Sequence, residues 1–240
     1  MRILITGAAG FIGYHLVKHL CEQGFKVTGL DNVSPYPQQN FKGERLAALG
    51  FNIGNLSYGK IEESSKCRFI KLDLNDSESP AQLFETNHFD FVLHLAAQTG
   101  VRYSVENPLL YIDNNIRAFC SLLECCKNHP IKNVFYSSSS SVYGLNKSYP
   151  FEENEPTDLP LSVYAASKKS DELLAHSYSS LYKLPTTGMR FFTVYGPWTR
   201  TNMAMYLFIK AIHNSTPINL FNNGEMYRDF TYVGDVAKAI

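Results

Sequence analysis

A tyrosine and a lysine four residues apart, Tyr164 and Lys168, are the side chains best suited to chemistry in this sequence. Apolar residues recur around them at roughly helical spacing, which predicts a helix over 161–173 with both side chains on one face. A phenol with a pKa of about 10 is a poor base at neutral pH, and a neighbouring ammonium favours its ionised form. The pair therefore predicts proton abstraction from a hydroxyl group. Taken alone, this spacing is also typical of ordinary surface helices.

Five consecutive serines, Ser137 to Ser141, precede this helix and directly follow an apolar run at 132–136. The apolar run predicts a buried strand. A serine tract is also typical of a flexible linker. At the carboxyl end of a buried strand, however, hydroxyl groups face the crevice in which open α/β sheets bind ligands. The serines are therefore predicted to contact a substrate near Tyr164.

A short apolar run at 2–6 is followed by Gly7, Gly10 and Gly13 and then by a helical pattern. This order predicts a strand, a tight turn and a helix. Glycines at these positions let backbone N–H groups approach a pyrophosphate at the helix N-terminus and let the helix pack on the strand. In this context the glycine spacing predicts a dinucleotide site.

A second predicted strand, 26–30, ends at Asp31-Asn32, about 20 residues after the glycines. A carboxylate at this point accepts hydrogen bonds from adenosine ribose hydroxyls and repels a 2′-phosphate, which predicts NAD rather than NADP as cofactor. A turn-forming Asp-Asn pair is the alternative interpretation. A third predicted strand, 67–72, ends at Asp73, which either contacts the adenine or caps the following turn.

Small residues, Ala96 and Ala97, follow a fourth predicted strand at 89–95 and leave room for a cofactor against the end of the strand. His94 lies inside this apolar run and is predicted to be a hydrogen-bonded core residue rather than a catalytic one. The next predicted helix carries Asn115. A buried polar side chain needs a partner, so Asn115 either joins the sheet to the cofactor or faces solvent.

Strands that alternate with helix-length connections predict an α/β fold with a doubly wound parallel sheet of the Rossmann type. A long helix is predicted at 108–127 and a sixth strand at 186–192. Residues 34–66 are rich in Pro, Gly, Asn and Ser. They show one helical patch near 44–49 and otherwise predict only a connecting excursion.

Beyond the sixth strand the pattern changes. A helix is predicted at 203–213, a strand at 228–232 and a further helix from Asp235. We therefore expect two domains. Residues 1–192 are expected to form an NAD-binding Rossmann domain, and residues 193–240 the start of a smaller substrate-binding domain that is truncated in this chain.

The 22 basic and 22 acidic residues balance, so no charge surplus predicts nucleic acid or an acidic membrane surface as a partner. With 45% hydrophobic and 18% charged residues, the composition is globular. No apolar run approaches the roughly 20 residues that span a bilayer, and no signal-peptide pattern is present. The five cysteines lack metal-ligand spacing, and Cys125-Cys126 are expected to be buried. We predict no metal site and a cytoplasmic location.

Together these motifs resemble the extended short-chain dehydrogenase/reductase superfamily, in its branch of sugar-nucleotide epimerases and dehydratases. The resemblance spans essentially the whole chain and rests on the order of the glycines, Asp31, Asp73-Leu74, Ser139 and the Tyr164–Lys168 pair. Longer strings resemble the UDP-glucuronate 4-epimerases of the capsular polysaccharide type. They are Ala97–Ser104, Ser137–Gly144, Leu184–Gly188, Arg190–Trp198 and Arg228–Tyr232.

The resemblance implies NAD-dependent 4-epimerisation of a UDP-sugar, with UDP-glucuronate as the expected substrate and UDP-galacturonate as the product. Tyr164 is expected to remove the proton of the C4 hydroxyl while the C4 hydride passes to NAD. Lys168 is expected to hold the nicotinamide ribose and to lower the tyrosine pKa. Ser139 is expected to share the substrate hydroxyl, with Ser141 as a second candidate. The 4-keto sugar then turns over and takes the hydride back on its other face.

The resemblance also implies the rest of the site. The expected cofactor contacts are Gly7, Gly10, Phe11, Ile12, Gly13, Asp31, Asn32, Asp73, Leu74, Ala96, Ala97, Asn115, Tyr164 and Lys168. The expected substrate contacts are Arg102, Ser139, Ser141, Thr193, Arg200 and Arg228. Thr193 and Arg200 are expected at the glucuronate carboxylate, which a guanidinium fork and a hydroxyl suit. Arg228 is expected at the nucleotide phosphates or, alternatively, in a structural salt bridge.

Two departures and several alternatives accompany this resemblance. Thr199 and Thr201 replace a glycine and a proline that the subfamily commonly has, which could re-aim Arg200. The relatives are also longer.

A UDP-glucose or UDP-N-acetylhexosamine 4-epimerase would use the same catalytic residues, whereas 4,6-dehydratases commonly carry Thr-Asp-Glu in the serine region. A non-catalytic NAD-binding protein is expected to lose Tyr164 or Lys168. A homodimer through the stretches 107–128 and 161–182 is also expected.

Overall fold

The computed structural model describes residues 1–35 and 41–240, which form an α/β fold. The strands are β1 (Arg2–Thr6), β2 (Lys26–Asp31), β3 (Ile61–Glu63), β4 (Arg68–Lys71), β5 (Phe91–His94), β6 (Asn133–Ser139), β7 (Thr186–Phe191), β8 (Thr193–Tyr195) and β9 (Phe230–Tyr232). The α-helices are α1 (Phe11–Glu22), α2 (Lys42–Ala48), α3 (Ser79–Thr86), α4 (Val101–Glu106), α5 (Pro108–Tyr111), α6 (Ala118–Lys127), α7 (Val163–Tyr182), α8 (Ala204–His213) and α9 (Val233–Ala239). A π-helix joins α5 to α6 at Ile112–Arg117, and short 3-10 turns lie at Ile53–Asn55, Ser140–Tyr143 and Phe221–Gly224.

Within the described residues, seven strands form one sheet in the order β3-β4-β2-β1-β5-β6-β7. All neighbours are parallel except β3, which pairs antiparallel with β4 at the edge. The six parallel strands have the order of a doubly wound Rossmann-type sheet, with β1 at its centre. The predicted fold class is confirmed. The edge strand β3 was not predicted, because its three residues, Ile-Glu-Glu, are too short to show a pattern.

Both faces of the sheet are covered, which explains why its strands are nearly continuous apolar runs. Successive side chains of a strand point to opposite faces. Leu4 of β1 accordingly packs with Phe119 of α6 on one side. Ile3 and Ile5 pack with Leu16 of α1 on the other side. The two core layers therefore fix the helices relative to the carboxyl ends of the strands.

The helix predicted over 161–173 is confirmed as α7, which extends to Tyr182. Its N-terminus is capped by Ser162, whose side chain accepts a hydrogen bond from the Ala165 backbone N–H. Its buried residues are small or polar, and they include Lys168 and Asp171. Leu173, one of the apolar residues that indicated the helix, is 56% exposed. The apolar spacing therefore marked the helix correctly but not its buried face.

The predicted helix at 108–127 is present, but a π-helix interrupts it at Ile112–Arg117. Such wide turns occur mostly at functional sites. Of the predicted excursion at 34–66, residues 36–40 lie outside the described residues, and the helical patch near 44–49 is confirmed as α2.

Residues after β7 form a small parallel pair of strands, β8 and β9. The predicted helix at 203–213, the strand within 228–232 and the C-terminal helix are confirmed as α8, β9 and α9. Helix α9 is anchored through Val233 and Val236, which pack with Val194 of β8 and contact Phe11 and Ile12 of α1.

In the part of the chain that the structure describes, no helix is both long enough and apolar enough to cross a membrane.

Helix α1 tolerates no side chain at Gly13, because a Cβ there would lie 2.1 Å from the carbonyl oxygen of Gly7. We expect Gly13→Ala to lower the free energy of unfolding by about 3 kcal/mol, the upper end of overpacking costs, since a backbone atom cannot rotate away. Gly43→Ala in α2 is the matched control, because its nearest neighbour lies 4.0 Å away. Urea unfolding followed by circular dichroism measures both. Equal stability of the two variants would contradict the tight turn.

Candidate active site

A cleft of about 540 Å³ lies at the carboxyl ends of the parallel strands. Its volume is typical of small-molecule sites, and its place is where open α/β sheets bind ligands. Most of the predicted site residues line it: Gly7, Gly10, Phe11, Ile12, Gly13, Asp31, Asn32, Asp73, Leu74, Ala96, Ala97, Ser139, Ser141, Tyr164, Lys168, Thr193 and Arg200. One cleft therefore brings together residues that are spread over most of the sequence.

The glycine turn after β1 forms one end of the cleft. Gly7 adopts a φ of +72°, and a Cβ on it would lie 2.7 Å from the backbone nitrogen of Ala96. Gly10 begins α1 with no side-chain cap among the described residues and no acidic residue in the first turn. The first N–H groups of a helix lack intrahelical partners and attract an anion. The turn therefore fits the pyrophosphate of a dinucleotide.

Asp31, at the end of β2, is anchored by the protein itself. One carboxylate oxygen accepts a hydrogen bond from the Ala9 N–H at 3.1 Å. The other accepts from the Val33 N–H at 2.8 Å and from Lys42 Nζ at 2.7 Å. A carboxylate has about four acceptor positions, so one is left for a ribose hydroxyl. The ion pair with the buried Lys42 also weakens the predicted repulsion of a 2′-phosphate.

Asn32 and Asp73 meet at the same end of the cleft. Asn32 Nδ2 donates a hydrogen bond to Asp73 Oδ2 at 2.9 Å. Asp73 Oδ1 accepts from the Asn75 N–H at 2.9 Å, which caps the turn after β4. The capping alternative for Asp73 is therefore present in the structure. A contact with adenine stays a prediction.

The serines of the run Ser137 to Ser141 have different surroundings in the structure. Strand β6 extends through Ser139, which then caps the following 3-10 turn by accepting the Ser141 N–H at 3.2 Å. Ser139 Oγ also donates to Ser141 Oγ at 3.2 Å, so these two hydroxyls lie together at the cleft. Ser138 donates to Glu172 of α7 at 2.6 Å. Glu172 is held in turn by two hydrogen bonds from Arg190 of β7, at 2.9 and 3.0 Å.

Tyr164 and Lys168 line the cleft from the first turns of α7. The ring of Tyr164 contacts Tyr111 edge to face, with centroids 6.2 Å apart. Lys168 Nζ donates to Asp171 Oδ2 at 3.0 Å, and both side chains are 1% exposed. Burial raises the pKa of Asp171 to about 6, against the opposing effect of the Lys168 ammonium. Asp171 does not line the cleft but holds the Lys168 ammonium from behind it, a contact that the sequence did not reveal.

Three predicted contacts lie outside the wall of the cleft as the described residues define it. Asn115 is fully buried and makes protein hydrogen bonds instead. Its Oδ1 accepts from the Gln98 N–H at 2.7 Å, and its Nδ2 donates to Ser167 Oγ at 2.8 Å and to the Gln98 carbonyl at 3.1 Å. Both amide donors are used, so Asn115 joins the segment after β5 to α7. Arg102 and Arg228 are exposed, and Arg228 Nη1 donates to the Tyr227 carbonyl at 2.7 Å.

Sequence reasoning missed two basic residues of the cleft, Lys42 and Arg45, on the face of α2 that turns inward. Their segment showed only a weak helical patch. The signal that could have found them is their spacing of three residues, which places them on one face of a helix. Thr99, whose hydroxyl accepts a hydrogen bond from Arg200 Nη1, was missed as well.

The cysteine thiols are free in all five cases. Cys126 is fully buried, as expected, whereas Cys125 is only partly buried. Among the described residues, no group of three or more His, Cys, Asp or Glu side chains could hold a metal ion.

His94 lies under the cleft with its imidazole stacked on Phe119, at a centroid distance of 4.9 Å. Its Nδ1 shares a hydrogen bond of 2.7 Å with Thr6 Oγ1. Its buried Nε2 has no hydrogen-bond partner among the described residues. Burial, and secondarily the Lys168 charge, lower the pKa of His94 to about 3. The histidine is buried in the core as predicted, but only one ring nitrogen is hydrogen-bonded.

We expect this histidine to cost stability in acid. An unfolded histidine binds a proton below a pH of about 6.5, whereas folded His94 stays neutral, so its contribution is complete above that pH and is lost as the pH falls. Between about pH 7.5 and pH 5 wild type should lose about 2 kcal/mol more than His94→Gln. Urea unfolding across this range measures the difference. His88→Gln, at an exposed histidine, is the control and should follow wild type. A His94→Gln protein with the wild-type pH slope would refute the assignment.

Comparison with known proteins places this arrangement in a family. The profile of the "NAD dependent epimerase/dehydratase family" matches residues 3–240. The chain is 49% identical over 240 residues to Protein CapI of Staphylococcus aureus, covering 100% of this chain and 68% of that protein. It is 44% identical to the "Probable UDP-glucuronate 4-epimerase" of Rhizobium meliloti, covering 100% of this chain and 67% of that protein.

A solved structure shows the same fold. The UDP-glucuronic acid 4-epimerase of Bacillus cereus, crystallised with UDP-glucuronic acid and NAD, superposes with a TM-score of 0.85. It is 36% identical in sequence, and the match covers 99% of this chain and 71% of that one. The predicted family resemblance and the predicted cofactor NAD are confirmed. The chain belongs to the NAD-dependent epimerase/dehydratase family.

Proposed function

We propose that this protein is a UDP-sugar 4-epimerase whose substrate is UDP-glucuronate and whose product is UDP-galacturonate. The observation that carries the proposal is the cleft itself, which brings Ser139, Tyr164 and Lys168 together with Arg200 beside the glycine turn. Bound NAD supplies the reversible hydride acceptor that inversion at C4 requires. Residues 1–192 serve as the NAD-binding domain, and residues 193–240 belong to the substrate-binding domain.

The cofactor is held by groups at the ends of β1, β2 and β5. The N–H groups at the start of α1 bind the pyrophosphate. The remaining acceptor position of Asp31 binds the adenosine ribose, and Ala96 and Ala97 leave room beside the strand. Lys168 has three donors, of which Asp171 takes one, so two remain for the nicotinamide ribose and the phenol.

Tyr164 is the proposed general base for the C4 hydroxyl. It lines the cleft on the same helix face as Lys168, whose ammonium has donors left for the phenol oxygen. Ser139 is the last residue of β6, and its hydroxyl donates to Ser141 Oγ in the structure. Rotation of that hydroxyl would let it donate to the same substrate oxygen instead. The proton then leaves the C4 oxygen for the phenolate as the carbonyl forms, and returns from the phenol when the sugar is reduced on its other face.

The choice of a charged sugar rests on Arg200 and its surroundings. Arg200 donates to Thr99 and to Met203 Sδ, at 3.3 Å for the latter, and lines the cleft together with Thr193. The buried Arg45 is close enough for the Arg200 charge to act on it. Two neighbouring cations favour an anionic ligand. Although Thr199 replaces a common glycine, Arg200 still reaches the cleft.

A neutral UDP-hexose is the competing substrate, because the catalytic residues would be identical. Two of the three relatives described above carry UDP-glucuronate or UDP-glucuronic acid in their names, and Arg200 supports the same choice. We also propose a homodimer through the stretches 107–128 and 161–182, which contain α5, the following π-helix, α6 and α7. These helices expose apolar side chains, including Leu109 at 75% and Leu173 at 56%.

The free thiols support a reducing location, the cytoplasm.

The deciding experiment uses the purified protein without added cofactor. UDP-glucuronate, UDP-glucose and UDP-N-acetylglucosamine are supplied in parallel, and the anomeric protons are followed by NMR. Conversion of UDP-glucuronate alone to its C4 epimer would support both the tightly held NAD and the carboxylate site. Conversion of a neutral sugar alone would keep the Tyr164 chemistry and remove the role of Arg200. Conversion of none of them would contradict the proposed activity.

We expect Tyr164→Phe to keep NAD bound and to lower the epimerisation rate at least about 10³-fold, within the range that general acid–base catalysis contributes. Loss of one hydroxyl leaves the ring contact with Tyr111 in place, so the fold should be unchanged. The measurement is NMR turnover together with the NAD content of the purified variant. Undiminished turnover would remove Tyr164 from the mechanism.

We expect Arg200→Ala to weaken UDP-glucuronate binding about 100-fold, since a charge-assisted pair contributes roughly 2–3 kcal/mol, while binding of UDP-glucose changes little. Isothermal titration of both nucleotides gives the two affinities. Arg68→Ala is the matched control, because that arginine of β4 lies outside the cleft and is not a predicted substrate contact. Equal losses for the charged and the neutral sugar would show that Arg200 does not bind the carboxylate.

A further inference from the structure

The side chain of Arg45 joins two segments that lie 189 residues apart, Ala9 and Trp198. Its Nη1 donates to the Ala9 carbonyl at 2.9 Å, and its Nη2 donates to the Trp198 carbonyl at 2.7 Å. The side chain is 1% exposed, and its Nε has no hydrogen-bond partner among the described residues. An arginine is buried in this way only where its fixed fork of donors is needed, because desolvating the charge is costly.

The first of these segments is the cofactor turn. Ala9 lies between Gly7 and Gly10, and both of its backbone polar groups are bound: the N–H by Asp31 and the carbonyl by Arg45. The turn is therefore held from two elements, β2 and α2. A change in the position of Arg45 would therefore also move the backbone groups that are expected to bind the pyrophosphate and the ribose.

The second segment is the loop that carries Arg200, two residues beyond Trp198. Trp198 has a φ of +64°, a left-handed conformation that is unusual for a bulky residue and needs support from its surroundings. Its ring packs edge to face on Tyr14 and Phe41, at centroid distances of 6.1 and 5.8 Å. The preceding carbonyl, of Pro197, accepts a hydrogen bond from His15 Nε2 at 2.8 Å.

We propose that Arg45 is a positioning residue that holds the Trp198 carbonyl and thereby aims Arg200 at the substrate carboxylate. This inference rests on the proposed function of Arg200. Arg45 does not touch the sugar in this scheme. It sets substrate selectivity through the loop and, because it also holds Ala9, ties the carboxylate site to the cofactor turn.

Charge alone does not explain the arrangement. Burial lowers the pKa of Arg45 to about 10, partly offset by the Asp31 carboxylate, so the group stays charged at neutral pH. A lysine would supply the same charge, but its compact ammonium cannot reach two carbonyls as a planar fork does. The two-carbonyl geometry is therefore the property to test.

The test is a double-mutant cycle with Arg45→Met and Arg200→Ala, in which affinities for UDP-glucuronate and UDP-glucose are measured by isothermal titration in the NAD-loaded protein. We expect Arg45→Met to weaken UDP-glucuronate about tenfold and UDP-glucose less than about twofold. In the Arg200→Ala background it should cause no further loss of selectivity, because two residues that act through one interaction are not additive. Arg45→Lys should lose selectivity as Arg45→Met does.

A matched control removes an arginine elsewhere. Arg68 of β4 donates to Asn87 at 3.0 Å and lies outside the cleft, so Arg68→Met should leave selectivity unchanged. Normal selectivity in Arg45→Lys, or an equal loss for both nucleotides in Arg45→Met, would overturn the inference. If Arg45→Met does not fold, Arg45→Lys alone decides. If Arg200→Ala itself spares selectivity, the proposed function of Arg200 fails instead, so the two failures are distinguishable.

Discussion

The contact between the turn after β1 and the segment after β5 is the constraint on which the whole cleft depends. The Ala96 N–H donates to Thr6 Oγ1 at 3.3 Å, and the Leu95 N–H donates to the Thr6 carbonyl at 3.1 Å. Backbones this close leave no space for a side chain at Gly7. Because β1 is the central strand, the same contact fixes the start of α1 and the end of β5, which form the floor of the cleft. A side chain at this turn would displace both at once.

Helix α7 carries charged side chains on its buried face beside the residues that it packs into the core, and two of its residues are the proposed catalytic groups Tyr164 and Lys168. Its inward face carries the buried pair Lys168–Asp171, and the neighbouring Glu172 is shared by Ser138 and Arg190. Replacing such buried pairs by apolar residues is often neutral or stabilising, so their presence is poor support for a purely structural role. These charged groups instead fix the orientation of the helix and of the side chains on its buried face. Glu172 ties the helix to β6 through Ser138 and to β7 through Arg190, whereas Lys168 and Asp171 both lie on α7 and hold each other.

The fold was predictable because parallel strands covered on both faces are apolar runs, and because ligand-binding residues follow the ends of such strands. Side-chain placement in loops was less predictable. A resemblance transfers Arg102 and Arg228 by position in the sequence, but only tertiary structure decides which side chains line the cleft. Gly100 and Val101 line it, whereas Arg102 on α4 and Arg228 before β9 do not. Asn115 is close to the site, yet its hydrogen bonds are taken by backbone and Ser167. Arg45 sits on a helix of seven residues, too short for a clear period.

The residues proposed to bind the cofactor and the sugar lie on segments that are far apart in the sequence but are joined by hydrogen bonds. The cofactor turn belongs to the central strand, whereas Arg200 lies on a loop beyond the last parallel strand. Hydrogen bonds from α1 and α2 to the carbonyls of Pro197 and Trp198 bridge the two. A loop held only by its ends would let the guanidinium of Arg200 sample many directions, at an entropic cost to binding. In the proposed scheme, anchoring this loop to α1 and α2 lowers that cost, so that the direction of Arg200 depends on the same helices that flank the cofactor turn.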